Sequence, residues 1–443
     1  MMLWWSWLVA TIGCIPLISP GGGGVTAFSL LVPLQGLSRE KIWNLARTRF
    51  NISQNIDHDA NQDHFHKPMT GRVAVVTGAA GGIGSQVGKL LHSLGATVVA
   101  MDRVGHQELL EALIASDDDD NRWVPFPLTD HGNLTCVAQV ANQIQRQFPT
   151  IDLLVNCAGL AYPQDNNPQR NSLQPLVSAH GRDLAFTVNY LSHVLLTEKL
   201  LPNLSRALGR IVHVTSTFHW KVDGSELLPP PPSDSDNDYD ASNHEDIDQR
   251  NLPLAVRSTH QSAKHVERSY ANTKLAQLWY SRSVRRHCPN AHVSSVCACP
   301  TWAATGIAGE AGRDFLQRFA FSIMIDNNDS CGPGITSTIN AMLRTDEELA
   351  DALDGPCFVA NSRTVEYLTS WAGMETWLTS NLTTNLLKIR DDLTDVLAIV
   401  LLIFQRFTYD EFILQKTSPE SYRDQDKMDQ FYHWSRASVQ PWL

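Results

Sequence analysis

No CxxC pair occurs anywhere in these 443 residues, and eight cysteines are too sparse for a disulfide framework. Zinc is left without a ligand pattern, and Cys157, Cys297 and Cys299 lie in apolar runs where they read as small core residues. Positive charge is also short: 35 Lys and Arg stand against 46 Asp and Glu, a formal charge of −11. A nucleic-acid partner needs a cationic face, so that class is set aside. Long apolar runs are rare too. Residues 3–19 form one, broken by Pro16 and closed by Pro20 and Gly21 to Gly24; Val396 to Phe404 form another, which is too short to cross a bilayer and reads as a buried helix, with a membrane-dipping or partner-binding helix as the alternative. The first suits a signal-peptide core or a membrane anchor, and so an endomembrane location. Two-part plastid targeting is the alternative, because the basic residues Arg39, Lys41, Arg47 and Arg49 follow it. Sequons at Asn51, Asn133, Asn203, Asn328 and Asn381 are compatible with the secretory route.

What is present can fill a full core, since 43% of the residues are apolar and 18% charged. The chain divides by texture into a hydrophobic segment (1–30), a polar linker (31–67), a folded domain (68–365) and a C-terminal helical extension (366–443). His58, His64 and His66 fall in the linker and read as loop rather than as a metal tract. Residues 221–262 carry four consecutive prolines and an Asp-rich stretch; that composition cannot pack a core and is expected to loop out.

Within 68–365, short apolar strands alternate with helical spacing. VAVVTG is a buried strand, SQVGKLLHSLG a helix ending at Gly95, and TVVAMD a second strand. WVPFPL, IDLLVNCAG, RIVHVTS and HVSSVCACP continue the strands, with helices near 182–203 and from Tyr270 to about Arg286. The pattern predicts an α/β fold: one doubly wound, Rossmann-like parallel sheet with helices on both faces, forming a single catalytic domain.

Between the first strand and its helix stand Thr77, Gly78, Ala79, Ala80, Gly81, Gly82, Ile83 and Gly84. Glycines at such a turn let a pyrophosphate approach the helix N-terminus and let the helix pack against the sheet. Asp102 closes the second strand, where a carboxylate can accept from the adenosine ribose hydroxyls and repel a 2′-phosphate. NAD is therefore favoured over NADP, although the adjacent Arg103 could instead receive that phosphate.

These motifs resemble the short-chain dehydrogenase/reductase family over about residues 70–365. Thr77, Gly78, Gly82 and Gly84 match its TGxxxGxG turn, with Ile83 inside it; Asn156-Cys157-Ala158-Gly159 matches NNAG with one exchange. Asn189, Ser216, Tyr270 and Lys274 match its catalytic Asn, Ser and YxxxK. The resemblance implies that Tyr270 is the acid/base, that Ser216 binds the substrate oxygen, that Lys274 holds the nicotinamide ribose, and that Asn189 anchors a relaying water. Tyr and Lys at i, i+4 share one helix face, and a nearby ammonium favours the phenolate of a group whose ordinary pKa is about 10. Pro300 and Thr305 match later cofactor contacts.

Departures accompany the match. Ser216 and Tyr270 are separated by the acidic insertion, Pro127-Leu128 replaces the family's Asp-Leu pair, and Pro300-Thr301 replaces Pro-Gly. Gly81 and Gly84 also fit the TGxxGxxG turn of the extended branch, against which NCAG argues. SHVLLTEKLLP, SYANTKLAQLWYSRSV and SPESYRDQDKMDQFYHWS resemble the retinol-dehydrogenase and WW-domain oxidoreductase-like subgroup, which implies an apolar alcohol or carbonyl, membrane association and a homodimer. The contrasting expectation is a dinucleotide-binding sensor or scaffold without activity.

Overall fold

The computed structural model describes residues 37–51, 67–115, 122–127, 129–161, 177–229, 252–257, 263–288, 292–300, 333–350, 358–362, 409–414, 417 and 421–443. Its strands are β1 Val73–Thr77, β2 Thr97–Met101, β3 Trp123–Phe126, β4 Leu153–Asn156, β5 Arg210–Val214, β6 Ser294–Ala298, β7 Phe358–Ser362 and β8 Tyr409–Leu414. They form one sheet in the order β3-β2-β1-β4-β5-β6-β7-β8, parallel throughout except for the antiparallel β8. The chain steps outward from β1 to β3 and then returns to β4 on the other side of β1. That reversal opens a crevice at the carboxyl ends of β1 and β4, where Thr77 lies in register with Asn156.

Helices cover both faces: α1 Arg39–Arg49, α2 Gly82–Ser93, α3 Gln107–Ala115, α4 Leu134–Gln147, α5 Ser192–Ala207, α6 Ala263–His287, α7 Pro333–Leu343, α8 Asp346–Ala350 and α9 Gln425–Val439. Alternate residues of each strand face opposite layers. Ala74, Val76, Val98, Ala100, Leu153 and Val155 pack against α1, α2, α3 and α7, whereas Val75, Val99, Met101 and Leu154 pack against α4, α5, α6 and α9. Each fully buried Val, Leu or Ile contributes roughly 1.5–3 kcal/mol, so the two apolar layers are what hold the faces of the sheet against the helices.

Three segments differ from the sequence expectation. Residues 39–49, placed in the polar linker, form α1: Ser38 Oγ accepts from Lys41 N at its start, and Leu37, Ile42 and Ala46 are buried against α7. Polar composition hid a narrow apolar stripe. The flanks of the insertion also pack, because Leu227, Leu252 and Val256 are buried and Asp183 N donates to Val256 O; residues 230–251 lie outside the described residues. Finally, β8 comes from the segment expected as a helical extension and pairs with β7, while the helix expected further along is α9.

Arg210, fully buried at the start of β5, joins these additions to the sheet. Its guanidinium donates to the carbonyls of Ala341, Met342 and Arg344 at the end of α7 and to Asp346 Oδ1 at 2.6 Å. A cation there satisfies the last helix carbonyls and opposes the negative end of the helix dipole. Asp346 also pairs with Arg49 of α1 at 3.1 Å.

Candidate active site

Thr77 ends β1 with its hydroxyl accepting from Cys157 N at 3.0 Å and Ala158 N at 2.9 Å. Two amides on one oxygen leave its hydrogen to point toward His193 Nε2, 3.5 Å away. The turn after Asn156 is thereby stitched to the turn after Thr77. Gly78 has φ +66°, and a Cβ there would lie 3.0 Å from Ala158 Cα; a Cβ on Gly84 would lie 2.1 Å from Gly78 O. Both positions therefore demand glycine. Gly82 opens α2, Ile83 packs into the core beside it, and the capping residue Gly81 makes no side-chain cap bond, so the first-turn amides of α2 are not spent on a side chain. An uncapped helix start in a glycine cradle suits a pyrophosphate, and these residues fit a nicotinamide dinucleotide.

Asn189 lies in a π-helical stretch, Thr187–Leu191, that runs into α5. Such a bulge rotates side chains out of α-helical register and is frequent at functional sites. Its amide clamps the turn after NCAG: Asn189 Oδ1 accepts from Leu160 N at 2.9 Å and Nδ2 donates to Leu160 O at 2.8 Å. Gly159 sits against that amide, its notional Cβ 3.4 Å from Asn189 Oδ1. The backbone carbonyl of Asn189 accepts from Gln277 Nε2 at 2.9 Å, and Gln277 Oε1 accepts from Lys274 Nζ at 3.3 Å. Lys274 Nζ also donates to Val214 O at 2.9 Å.

Lys274 is buried, its ammonium 5.3 Å from the centre of the Tyr270 ring, and burial pushes its pKa down to about 8. Ser216 follows β5 and caps a short 3-10 turn, Oγ accepting from Phe218 N at 3.3 Å. Phe218 sets its ring edge against Tyr270 with centroids 5.5 Å apart, and Thr215 Oγ1 donates to Lys274 O at 3.1 Å. The end of β5 and α6 thus bring Ser216, Tyr270 and Lys274 to one place despite the insertion between them.

Residues 72–222 match the family model described as short chain dehydrogenase. Over those residues the chain is similar to the short-chain dehydrogenase/reductase family. It is similar to mouse dehydrogenase/reductase SDR family member 7B, 32% identical over 32% of this chain and 43% of that protein. It is also similar to mouse polyprenol dehydrogenase, 35% identical over 36% of this chain and 47% of that protein. A solved 3-ketoacyl-(acyl-carrier-protein) reductase from Brucella melitensis, complexed with NADH, aligns at 20% identity and TM-score 0.40 over 63% of this chain and 92% of that one. The chain spans about half the length of the curated relatives it matches.

The remaining expected residues sort by position. Asp102 is buried at the end of β2 and its Oδ2 accepts from Ala80 N at 2.7 Å, while Arg103 is exposed. Asn156 donates to His213 Nδ1 at 3.3 Å, and its buried Oδ1 has no partner among the described residues. Pro300 is buried just beyond β6 at the same edge of the sheet; Thr305 and Leu128 lie outside the described residues. Gln277, Phe218 and His106 were not singled out by sequence. Gln277 stands three residues after Lys274, on the same helical face, which is the one signal that could have found it.

Proposed function

We propose that this chain is an NAD(P)-dependent oxidoreductase that interconverts an apolar alcohol and its carbonyl compound. The observation that carries the reading is the buried Lys274 ammonium 5.3 Å from the Tyr270 ring, with Ser216 held beside that pair through Phe218. A bound nicotinamide supplies or accepts the hydride. Lys274, fixed by Val214 O and Gln277 Oε1, stabilises negative charge on Tyr270 Oη and so eases a proton onto and off that oxygen. Ser216 Oγ donates to the substrate oxygen as charge develops on it. Asn189 keeps the turn after NCAG rigid and, through its carbonyl and Gln277, fixes the position of Lys274.

Thr77, Gly78, Gly82, Gly84, Asn156, Ala158, Gly159 and Pro300 would frame the dinucleotide, with Asp102 accepting from the adenosine ribose hydroxyls, so NAD is the preferred form. The aromatic edge of Phe218 on Tyr270 supports an apolar substrate, in keeping with the name of one relative, polyprenol dehydrogenase. Residues 3–19 would bring such a substrate's membrane within reach. No helix among the described residues is long and apolar enough to cross one.

Tyr270→Phe tests the reading. It removes the proton donor while keeping the ring against Phe218, so NADH affinity is expected to stay within about twofold and turnover to fall by at least about a hundredfold. Unchanged turnover, or an unchanged biological effect, would favour a dinucleotide-binding sensor or scaffold instead.

A further inference from the structure

His193 stands at the second position of α5, just beyond the π-helical stretch that carries Asn189, and its side chain is buried. It faces the row in which Thr77 of β1, Asn156 of β4 and His213 of β5 lie side by side in register. Thr77 Oγ1 already accepts the amide hydrogens of Cys157 and Ala158, so its own hydrogen goes to His193 Nε2, 3.5 Å away. Nε2 is then the acceptor, and the ring hydrogen sits on Nδ1. That nitrogen is buried and bonds no side chain; the backbone group it addresses is the carbonyl of Asn189, one helical turn back. The same carbonyl accepts from Gln277 Nε2 at 2.9 Å, and Gln277 Oε1 accepts from Lys274 Nζ at 3.3 Å. A buried file of polar contacts therefore runs from the Cys157 and Ala158 amides through Thr77, His193, Asn189 and Gln277 to Lys274.

The file needs a neutral ring. A protonated His193 would aim a further hydrogen at Thr77 Oγ1, an oxygen that already takes two from the amides. Burial holds the ring's pKa well below its ordinary value, and the positive charge of Lys274 acts in the same direction. The titratable groups facing the ring are His131 from the loop before α4, with ring centroids 5.9 Å apart, His213 of β5 and Lys274 of α6; Cys157, Cys297 and Cys299 lie around Lys274. We propose that His193 is a positioning residue that joins the seat of the dinucleotide to Lys274: Nε2 sets the Thr77 hydroxyl so that its lone pairs meet the two amides, and Nδ1 sets the Asn189 carbonyl from which Gln277 holds the ammonium. The proposal rests on reading the chain as an NAD(P)-dependent oxidoreductase.

The two ends of the ring are removed one at a time. His193→Gln reaches the Nε2 position and keeps an acceptor for Thr77 but gives up Asn189; His193→Asn keeps a donor at the Nδ1 position but gives up Thr77; His193→Phe gives up both. NADH is titrated by nicotinamide fluorescence into the full chain and into each variant between about pH 6.5 and about pH 9.5. Wild-type affinity is expected to decline as the pH rises through about 8, where Lys274 loses its proton and with it the attraction for an anionic dinucleotide. At the acid end of the range His193→Phe should bind NADH about fivefold to tenfold more weakly, the size of a lost hydrogen bond. Its decline should also begin about half a pH unit lower, because a loosened Gln277 supports the ammonium less. His193→Gln should restore the affinity and leave the decline shifted, and His193→Asn should do the reverse. Both quantities moving together in all three variants, or loss of the far-UV circular dichroism in all three, would make the ring a structural prop and overturn the proposal. Variants that match wild type, or a wild-type affinity that does not decline, would overturn it equally while leaving the oxidoreductase reading in place. A wild-type chain that binds no NADH would overturn that reading and this link together.

Discussion

A single oxygen, Thr77 Oγ1, joins the two turns that face each other across the crevice, and its loss is felt on both sides. Thr77→Val leaves Cys157 N and Ala158 N without their acceptor. The expected loss is about 1–3 kcal/mol of stability, read by urea unfolding, together with weaker NADH binding; Thr77→Ser should retain most of both. Gly84→Ala forces a methyl to within 2.1 Å of Gly78 O, so the turn must move and NADH binding should fall sharply even if the domain folds. Both residues were legible in the sequence because their roles depend on local backbone geometry that only a few residue types allow. Gln277 and Phe218 were not, because a polar or aromatic side chain beside Lys274 and Tyr270 carries no signature until the strand end and the helix are placed together. His106 was invisible for the same reason: four positions after Asp102, its meaning comes from a turn that brings it back to that carboxylate.

At the scale of elements, the strands and central helices followed from periodicity because each buries a wide apolar face. Elements attached late to the sheet did not. α1 buries only a stripe, and β8, YDEFIL, sets two adjacent acidic residues before three apolar ones and so lacks the alternation of a strand until β7 is beside it. α9 was legible only as helix. It lies on α5 and α6 with Phe431 stacked on Tyr190 at 5.4 Å, edge-on to Trp279 at 5.5 Å, and Tyr190 Oη bonded to Ser435 Oγ at 2.7 Å. Phe431→Ala should therefore cost about 3–5 kcal/mol, seen as a lower denaturation midpoint. A solvent-facing tail helix would show no such loss. Arg210→Met strands the carbonyls at the end of α7 and removes one of the two arginines paired with Asp346, leaving Arg49. Leaving those buried carbonyls without their donor should cost on the order of 1–3 kcal/mol, again in unfolding midpoint. The sequon at Asn203 cannot be modified in the folded chain, since its side-chain nitrogen is buried and donates to Gln145 O and Phe148 O.

Across the whole molecule, burial of neutral imidazoles sets how the fold responds to acid. Burial pushes His213 down to about 3, with Lys274 adding to the shift, and pushes His131 and His219 down to about 4. In the unfolded chain a histidine takes up its proton near pH 6.5, so below that pH the unfolded state binds more protons than the native one. Stability is therefore full above pH 6.5 and declines as pH falls toward the native values. Each of these histidines should remove on the order of 3 kcal/mol by pH 4, and His213→Asn should flatten the fall of the thermal midpoint between pH 6.5 and 4. A midpoint independent of pH in that window would contradict the burial of these rings as neutral groups. None of the three was marked by sequence, because a histidine in a strand or turn looks alike whether it is buried or exposed.

The central claim is that the crevice between β1 and β4 holds a nicotinamide dinucleotide and uses it on an alcohol or carbonyl. The most direct measurement is titration of the full chain with NADH and NADPH by nicotinamide fluorescence, followed by addition of apolar aldehydes and ketones while reduced cofactor is monitored. Saturable binding and consumption of the reduced cofactor with at least one carbonyl is the expected result. Failure to bind either dinucleotide would contradict the cofactor site from which every catalytic role above is drawn.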